Sequence, residues 1–153
     1  MIEIVKAPKD ASSQFKVAQV SLEHLLSRKE LGFWQLPQRQ ELWGQCLRLG
    51  SLMRGQYESM VLVGIGGSSL GPRVILDVFN IQKVHLLDNV DAIQFERLLR
   101  KLGDLSKVLF VFISKSGTTI ETLCTLEFLR EELATRGLHL DKQSCVITEE
   151  RAS

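Results

Sequence analysis

Two short stretches of this 153-residue chain concentrate small and hydroxylated residues in a pattern suited to holding an anion. The first is Gly64-Ile65-Gly66-Gly67-Ser68-Ser69-Leu70-Gly71-Pro72. Three glycines within four positions permit positive φ and let another group approach the backbone closely. Ser68 and Ser69 can cap a following helix, whose first amides then face outward as an anion site. The plainer alternative is a tight turn with an ordinary cap, because an isolated glycine-rich match has little specificity.

The second stretch is Ser114-Lys115-Ser116-Gly117-Thr118-Thr119-Ile120-Glu121-Thr122. Ser114, Ser116, Thr118 and Thr119 supply hydroxyls, Gly117 exposes backbone amides, and a helix start adds a dipole end of about half a positive charge. A phosphate monoester suits this set, since its dianion has three acceptor oxygens to satisfy. The alternative is a capping box, in which Thr118 caps and Glu121 returns the bond three residues on. One cap does not call for four hydroxyls and a lysine. Lys115 either pairs with the phosphate or lies on the surface, and Glu121 either complements the helix dipole or steers a sugar hydroxyl.

A dinucleotide site is a competing reading of the first stretch. Gly64-x-Gly66-x-x-Ser69 resembles a Rossmann turn, and Asp88 falls near the position of a ribose-binding acid. Against it, the third glycine is Ser69, and ordinary pyrophosphate recognition has no use for the hydroxyl-rich stretch at Ser114.

Elements that could position these stretches are legible in the apolar pattern. Met60–Val63, Val84–Leu87, Val108–Ile113 and Cys145–Ile147 are short runs without polar alternation, as in strands buried on both faces. Leu70–Phe79, Ala92–Lys101 and Thr118–Arg136 lie between them with helical spacing, and Gly137 suits the stop of the last. Strands alternating with helices give an α/β fold, a parallel sheet flanked by helices on both faces. Ligands bind such sheets at the carboxyl ends of the strands, where both stretches fall. Ahead of the sheet, apolar spacings of three and four predict helices over Gln14–Ser27 and Gln38–Arg54, each with one apolar face. They are joined by a loop around Gly32, with Pro37 suited to the first turn of the second helix. The expected domains are a helical segment, 1–57, and a sheet domain, 58–153.

Composition narrows the function classes. Lys plus Arg number 19 against 18 Asp plus Glu, a net charge of +1, so no global field favours nucleic acid or an anionic membrane. The 44% hydrophobic and 24% charged content is that of a globular chain. Cys46, Cys124 and Cys145 stand far apart and form no CxxC pair, which supports neither a disulfide framework nor a metal site and makes them packing residues. Met1–Asp10 lacks the pattern of a signal peptide, and no apolar run has the length of a membrane span. A reduced cytoplasmic setting is the expectation.

VGIGGSSLGP, Val63–Pro72, and ISKSGTTIET, Ile113–Thr122, resemble the two signature segments of the phosphoglucose isomerase (glucose-6-phosphate isomerase) family, and Leu87-Asp88-Asn89-Val90-Asp91 is similar to the segment between them. The SKSGTT form resembles bacterial members. The resemblance covers about Gln38–Thr148 and implies a sugar isomerase (SIS) domain, a flavodoxin-like three-layer sandwich with an N-terminal helical lead-in. It implies that Gly66, Gly67 and Ser68 approach the substrate and that Ser114, Lys115, Ser116, Gly117, Thr118 and Thr119 cradle its phosphate. Glu121 matches an auxiliary catalytic glutamate. Ile120 departs from a glutamine of many animal members, which touches only a secondary polar contact.

The implied reaction is interconversion of glucose 6-phosphate and fructose 6-phosphate through an enediol, without metal or organic cofactor. The family's principal glutamate base, a histidine contributed across a homodimer and a late lysine all follow the matched region and have no counterpart in this sequence. His24, His85 and His139 fall outside the family's histidine motif and are expected to be structural or solvated. These 153 residues are therefore expected to supply a phosphate-anchoring half-site, with an SIS domain incomplete at its C-terminal end. A second SIS domain would complete it, and the chain alone would turn substrate over poorly or not at all. A non-catalytic SIS module that only reads a phosphosugar is the alternative from another class.

Overall fold

Apolar runs and helical periods resolve, in the computed structural model, into α1 (Ala11–Ser27), α2 (Gln40–Gln56), β1 (Ser59–Val63), α3 (Gly67–Val78), β2 (Val84–Leu87), α4 (Ala92–Leu102), β3 (Val108–Ile113), α5 (Ile120–Thr135) and β4 (Ser144–Ile147). The structure describes residues 11–28 and 32–149. Expectations that fall on residues 1–10, 29–31 and 150–153, including the outer ends of both expected domains, lie outside the described residues. The chain divides into two compact units between Leu49 and Gly50, inside α2.

In the first unit α1 begins at Ala11 rather than Gln14, and a 3-10 segment, Gly32–Gln38, occupies the place of the expected loop. Pro37 lies inside that segment, one residue before its end, instead of opening α2. The reason is local: the Leu36 carbonyl accepts from the Arg39 amide at 3.1 Å, and the Pro37 carbonyl accepts from the Trp43 indole at 3.3 Å. Regular α-helical bonding starts only with the Trp43 amide on the Arg39 carbonyl, so α2 runs 40–56 rather than 38–54. The apolar spacing of α1 is present but uncovered, with Phe15, Val17, Val20 and Leu26 exposed.

The second unit holds one parallel sheet in the order β2-β1-β3-β4. Val63 of β1 sits in register with Leu87 of β2 on one side and Phe112 of β3 on the other, and Ile113 pairs with Ile147 of β4. The chain steps from β1 to β2 in one direction and from β2 through β3 to β4 in the other. Right-handed crossovers then place α3 on one face and α4 and α5 on the opposite face, completing the three-layer α/β sandwich. The Phe95 and Phe128 rings, 6.0 Å apart, join α4 to α5.

The core lies between the sheet and these two helices. Alternate residues Val61, Val63, Phe110 and Phe112 meet Leu99, Leu129 and Leu133, all buried, and each such side chain contributes about 1.5–3 kcal/mol. Burial on both faces, expected of all the strands, holds only for Val108–Phe112 of β3, with Ile113 half-buried; β4 is an edge strand with Val146 60% and Ile147 54% exposed. On α3, Leu70, Val74, Ile75 and Val78 are exposed. Gly137, at φ +70°, ends α5: the Leu138 amide bonds the Leu133 carbonyl at 2.9 Å, the reversed 6→1 bond of a Schellman stop.

Candidate functional site

β1 and β3 are neighbours whose following helices pack on opposite faces, the switch point at whose carboxyl ends sheets of this kind form their ligand crevice. Gly64 brings the two loops together there. A Cβ on Gly64 would stand 2.9 Å from the Ser68 Cβ and 3.0 Å from the Ile113 carbonyl oxygen, distances that only glycine satisfies. Its amide donates to the Leu87 carbonyl at 3.3 Å, tying the loop to the end of β2 as well.

Helix α3 starts at Gly67, three residues before the expected Leu70, with Gly66 at φ +59° as its N-cap. Ser68 and Ser69 therefore lie inside the first turn and do not cap it. The Ser69 hydroxyl points back, donating to the Gly66 carbonyl at 3.0 Å, and is buried. Gly66 and Gly67 are exposed and Ser68 half-buried at an amino terminus that no side chain caps.

The second loop is organised by Ser114, which is only 7% exposed. Its Oγ lies 2.9 Å from Thr119 Oγ1 and accepts from the Gly117 amide at 3.1 Å. Ser116 Oγ accepts from the Thr118 amide at 3.2 Å and from the Thr118 hydroxyl at 3.0 Å. Gly117 takes φ +68°, a left-handed conformation strained for any residue with a Cβ. Lys115, Ser116, Gly117 and Thr118 are exposed.

The capping box is not formed. Helix α5 starts at Ile120, and Thr119, its N-cap, makes no side-chain capping bond because its hydroxyl faces Ser114. The first amides of α5 are left without intrahelical acceptors at the positive end of a 16-residue helix, where an anion is favoured. Glu121 stands in that first turn, exposed. Thr122 next to it is 4% exposed, and its Oγ1 has no hydrogen-bond partner among the described residues.

Other candidates stand apart from the crevice or are otherwise engaged. Asp88, the acid of the dinucleotide alternative, forms an ion pair with Arg73 of α3. His85 is half-buried on β2, and burial, reinforced by the Lys101 charge, pushes its pKa below the usual histidine value. His24 and His139 are exposed. Cys46 and Cys124 are exposed on α2 and α5 rather than packed, and no described residue of α2 is buried; Cys145 is half-buried. Among the described residues no helix is long and apolar enough to cross a membrane.

The phosphoglucose isomerase family model matches residues 48–148, two thirds of the chain and both loops. The chain belongs to the phosphoglucose isomerase family. It is 34% identical over 103 residues to the glucose-6-phosphate isomerase of Borrelia garinii subsp. bavariensis, covering 61% of this chain and 19% of that protein. The Protochlamydia amoebophila enzyme is 37% identical over 97 residues, covering 60% and 18%. Among solved structures, a glucose-6-phosphate isomerase from Chlamydia trachomatis superposes with a TM-score of 0.63 at 29% identity, covering 69% of this chain and 22% of that one. A hypothetical protein from Thermus thermophilus gives 0.69 at 28% identity, covering 90% and 40%. The chain thus spans about a fifth of the length of the curated relatives it matches.

The candidate site residues Gly66, Gly67, Ser68, Ser114, Lys115, Ser116, Gly117, Thr118, Thr119 and Glu121 all lie in the loops after β1 and β3 or in the first helical turns that follow. Three contributors were not legible. Gly64 reads as one glycine among several until the Ile113 carbonyl is placed beside it. Thr148 and Glu149, beyond β4, bond the Lys115 carbonyl at 3.3 and 3.1 Å from a segment with no motif of its own.

Proposed function

We propose that this chain supplies the phosphate-anchoring half of a phosphosugar isomerase site acting on glucose 6-phosphate and fructose 6-phosphate. The observation that carries the reading is the diversion of the Thr119 hydroxyl from α5 to Ser114, which leaves the helix amides to an outside anion. Phosphate oxygens would be met by those amides and by the hydroxyls of Ser116, Thr118 and Thr119, with Lys115 offsetting charge. Gly66, Gly67 and Ser68 would face the sugar across the crevice, since their loop passes against the end of β3.

Isomerisation through an enediol needs a base to move a proton between C2 and C1. Glu121, exposed in the first turn of α5, would steer a sugar hydroxyl as an auxiliary group. The principal base and its partners would come from a second SIS domain, in a homodimeric cytoplasmic enzyme, with residues 1–57 as helical lead-in to the SIS domain at 58–153.

Titration calorimetry with fructose 6-phosphate and with fructose tests this. Binding of the phosphorylated sugar alone, weakened by Ser116→Ala and Thr119→Ala, supports the reading; equal binding of both sugars removes it. Turnover by the purified chain near that of full-length family enzymes would contradict the half-site assignment.

A further inference from the structure

We infer that Thr148, immediately beyond β4, is a positioning residue for the phosphate loop; its consequence for ligand affinity rests on the function proposed above. Three consecutive residues at and after the end of β4 grip that loop. The Ile147 carbonyl accepts from the Ser114 amide at 3.1 Å, and the Thr148 hydroxyl and Glu149 amide both donate to the Lys115 carbonyl, at 3.3 and 3.1 Å.

The grip fixes a direction. A trans peptide is planar, so the Lys115 carbonyl and the Ser116 amide share one plane and point opposite ways. Drawing the carbonyl toward the residues after β4 turns the Ser116 amide to the other side of β3, where β1 and its glycine loop lie. Thr148 also limits the loop sterically: its Oγ1 lies 3.3 Å from where a Gly117 Cβ would be, against the one residue of the loop held at positive φ. One threonine thereby bonds the Lys115 carbonyl and stands beside Gly117 without itself belonging to either motif.

Thr148→Val keeps the branched shape and deletes the donor, while Thr148→Ser keeps the donor. In the full 153-residue chain, Val is expected to weaken fructose 6-phosphate binding about five-fold, and Ser to restore it to within about two-fold, as loss and return of one hydrogen bond would do. Amide hydrogen exchange in the ligand-free chain provides a second readout: Val accelerates exchange at Ser116 and Gly117, and Ser does not. Wild-type affinity and exchange in the Val variant would overturn the assignment. Absence of sugar-phosphate binding by the wild-type chain would instead remove the proposed function, and the exchange comparison would still decide the role of Thr148.

Discussion

Ser114 Oγ and Thr119 Oγ1 stand 2.9 Å apart, and this pairing sets what the amino end of α5 can do. A threonine at the N-cap would ordinarily turn its hydroxyl onto the helix amides. Here the buried Ser114, at the end of β3, draws it away and also takes the Gly117 amide. Ser114→Ala removes the partner of Thr119 and an acceptor for Gly117 together. The freed Thr119 hydroxyl then competes with ligand for the α5 amides. The expected result is about ten-fold weaker fructose 6-phosphate binding with about 1 kcal/mol lost from stability. Calorimetry and denaturant melts on the same variant check it, and undiminished affinity would contradict the role given to the pair.

Gly64 provides a steric test of how the loops meet. Gly64→Ala puts a methyl 3.0 Å from the Ile113 carbonyl oxygen and 2.9 Å from the Ser68 Cβ, so backbone must shift, at about 1–3 kcal/mol. Gly50→Ala, inside α2 with no described atom within 4 Å of the added methyl, instead gains about 0.5–1 kcal/mol of helix preference. Opposite shifts in urea midpoint are expected; a neutral Gly64→Ala would mean the two loops are not in contact.

The sheet was readable because β3 is a run of apolar residues bounded by polar turns, and the helices because their apolar spacing is regular. Helix starts were less legible. Ser68 and Thr118 both looked like caps, since the preference for a hydroxyl at a helix start is local, whereas its bond depends on what tertiary structure places nearby. Ser69, next to Ser68, found the Gly66 carbonyl, and the Thr118 hydroxyl found Ser116 while Thr119 became the N-cap. Thr148 could not be found from spacing, because it reaches Lys115 across 33 positions of chain. Exposure of the apolar residues on α1 and α3 was equally out of reach, since periodicity says which face is apolar and not whether anything covers it.

Gln143 is a buried polar residue away from the crevice, and its amide donates to the Leu105 carbonyl at 2.8 Å and the Val108 carbonyl at 3.2 Å. Gln143→Leu preserves bulk and leaves both carbonyls short of a donor. A loss of about 2–3 kcal/mol follows, read as a lower urea midpoint with unchanged slope. A variant as stable as wild type would show that water replaces the amide.

Burial and the Lys101 charge hold the His85 pKa below its ordinary value. The unfolded chain therefore binds a proton near pH 6.5 that the folded chain refuses until lower pH. Above that range the residue contributes nothing; as pH falls through it, stability declines, levelling off once the folded form also protonates. His85→Gln should flatten the part of the stability profile that begins near the ordinary histidine pKa and extends below it. An unaltered profile would assign the slope to other groups.

Thr122 and Thr125 occupy the same helix with opposite outcomes. The Thr125 hydroxyl donates to the Glu121 carbonyl four residues back at 2.9 Å. The equivalent acceptor for Thr122 would be Thr118, which lies in the loop before the helix begins, and the buried Thr122 Oγ1 has no described partner. A buried hydroxyl without a bond costs about 1–3 kcal/mol, so Thr122→Val, which keeps the shape, should stabilise the ligand-free chain by about 1 kcal/mol. A higher thermal midpoint is the expected reading. A lower one would mean that the hydroxyl is bonded in solution, with an ordered water at the head of α5 as its partner.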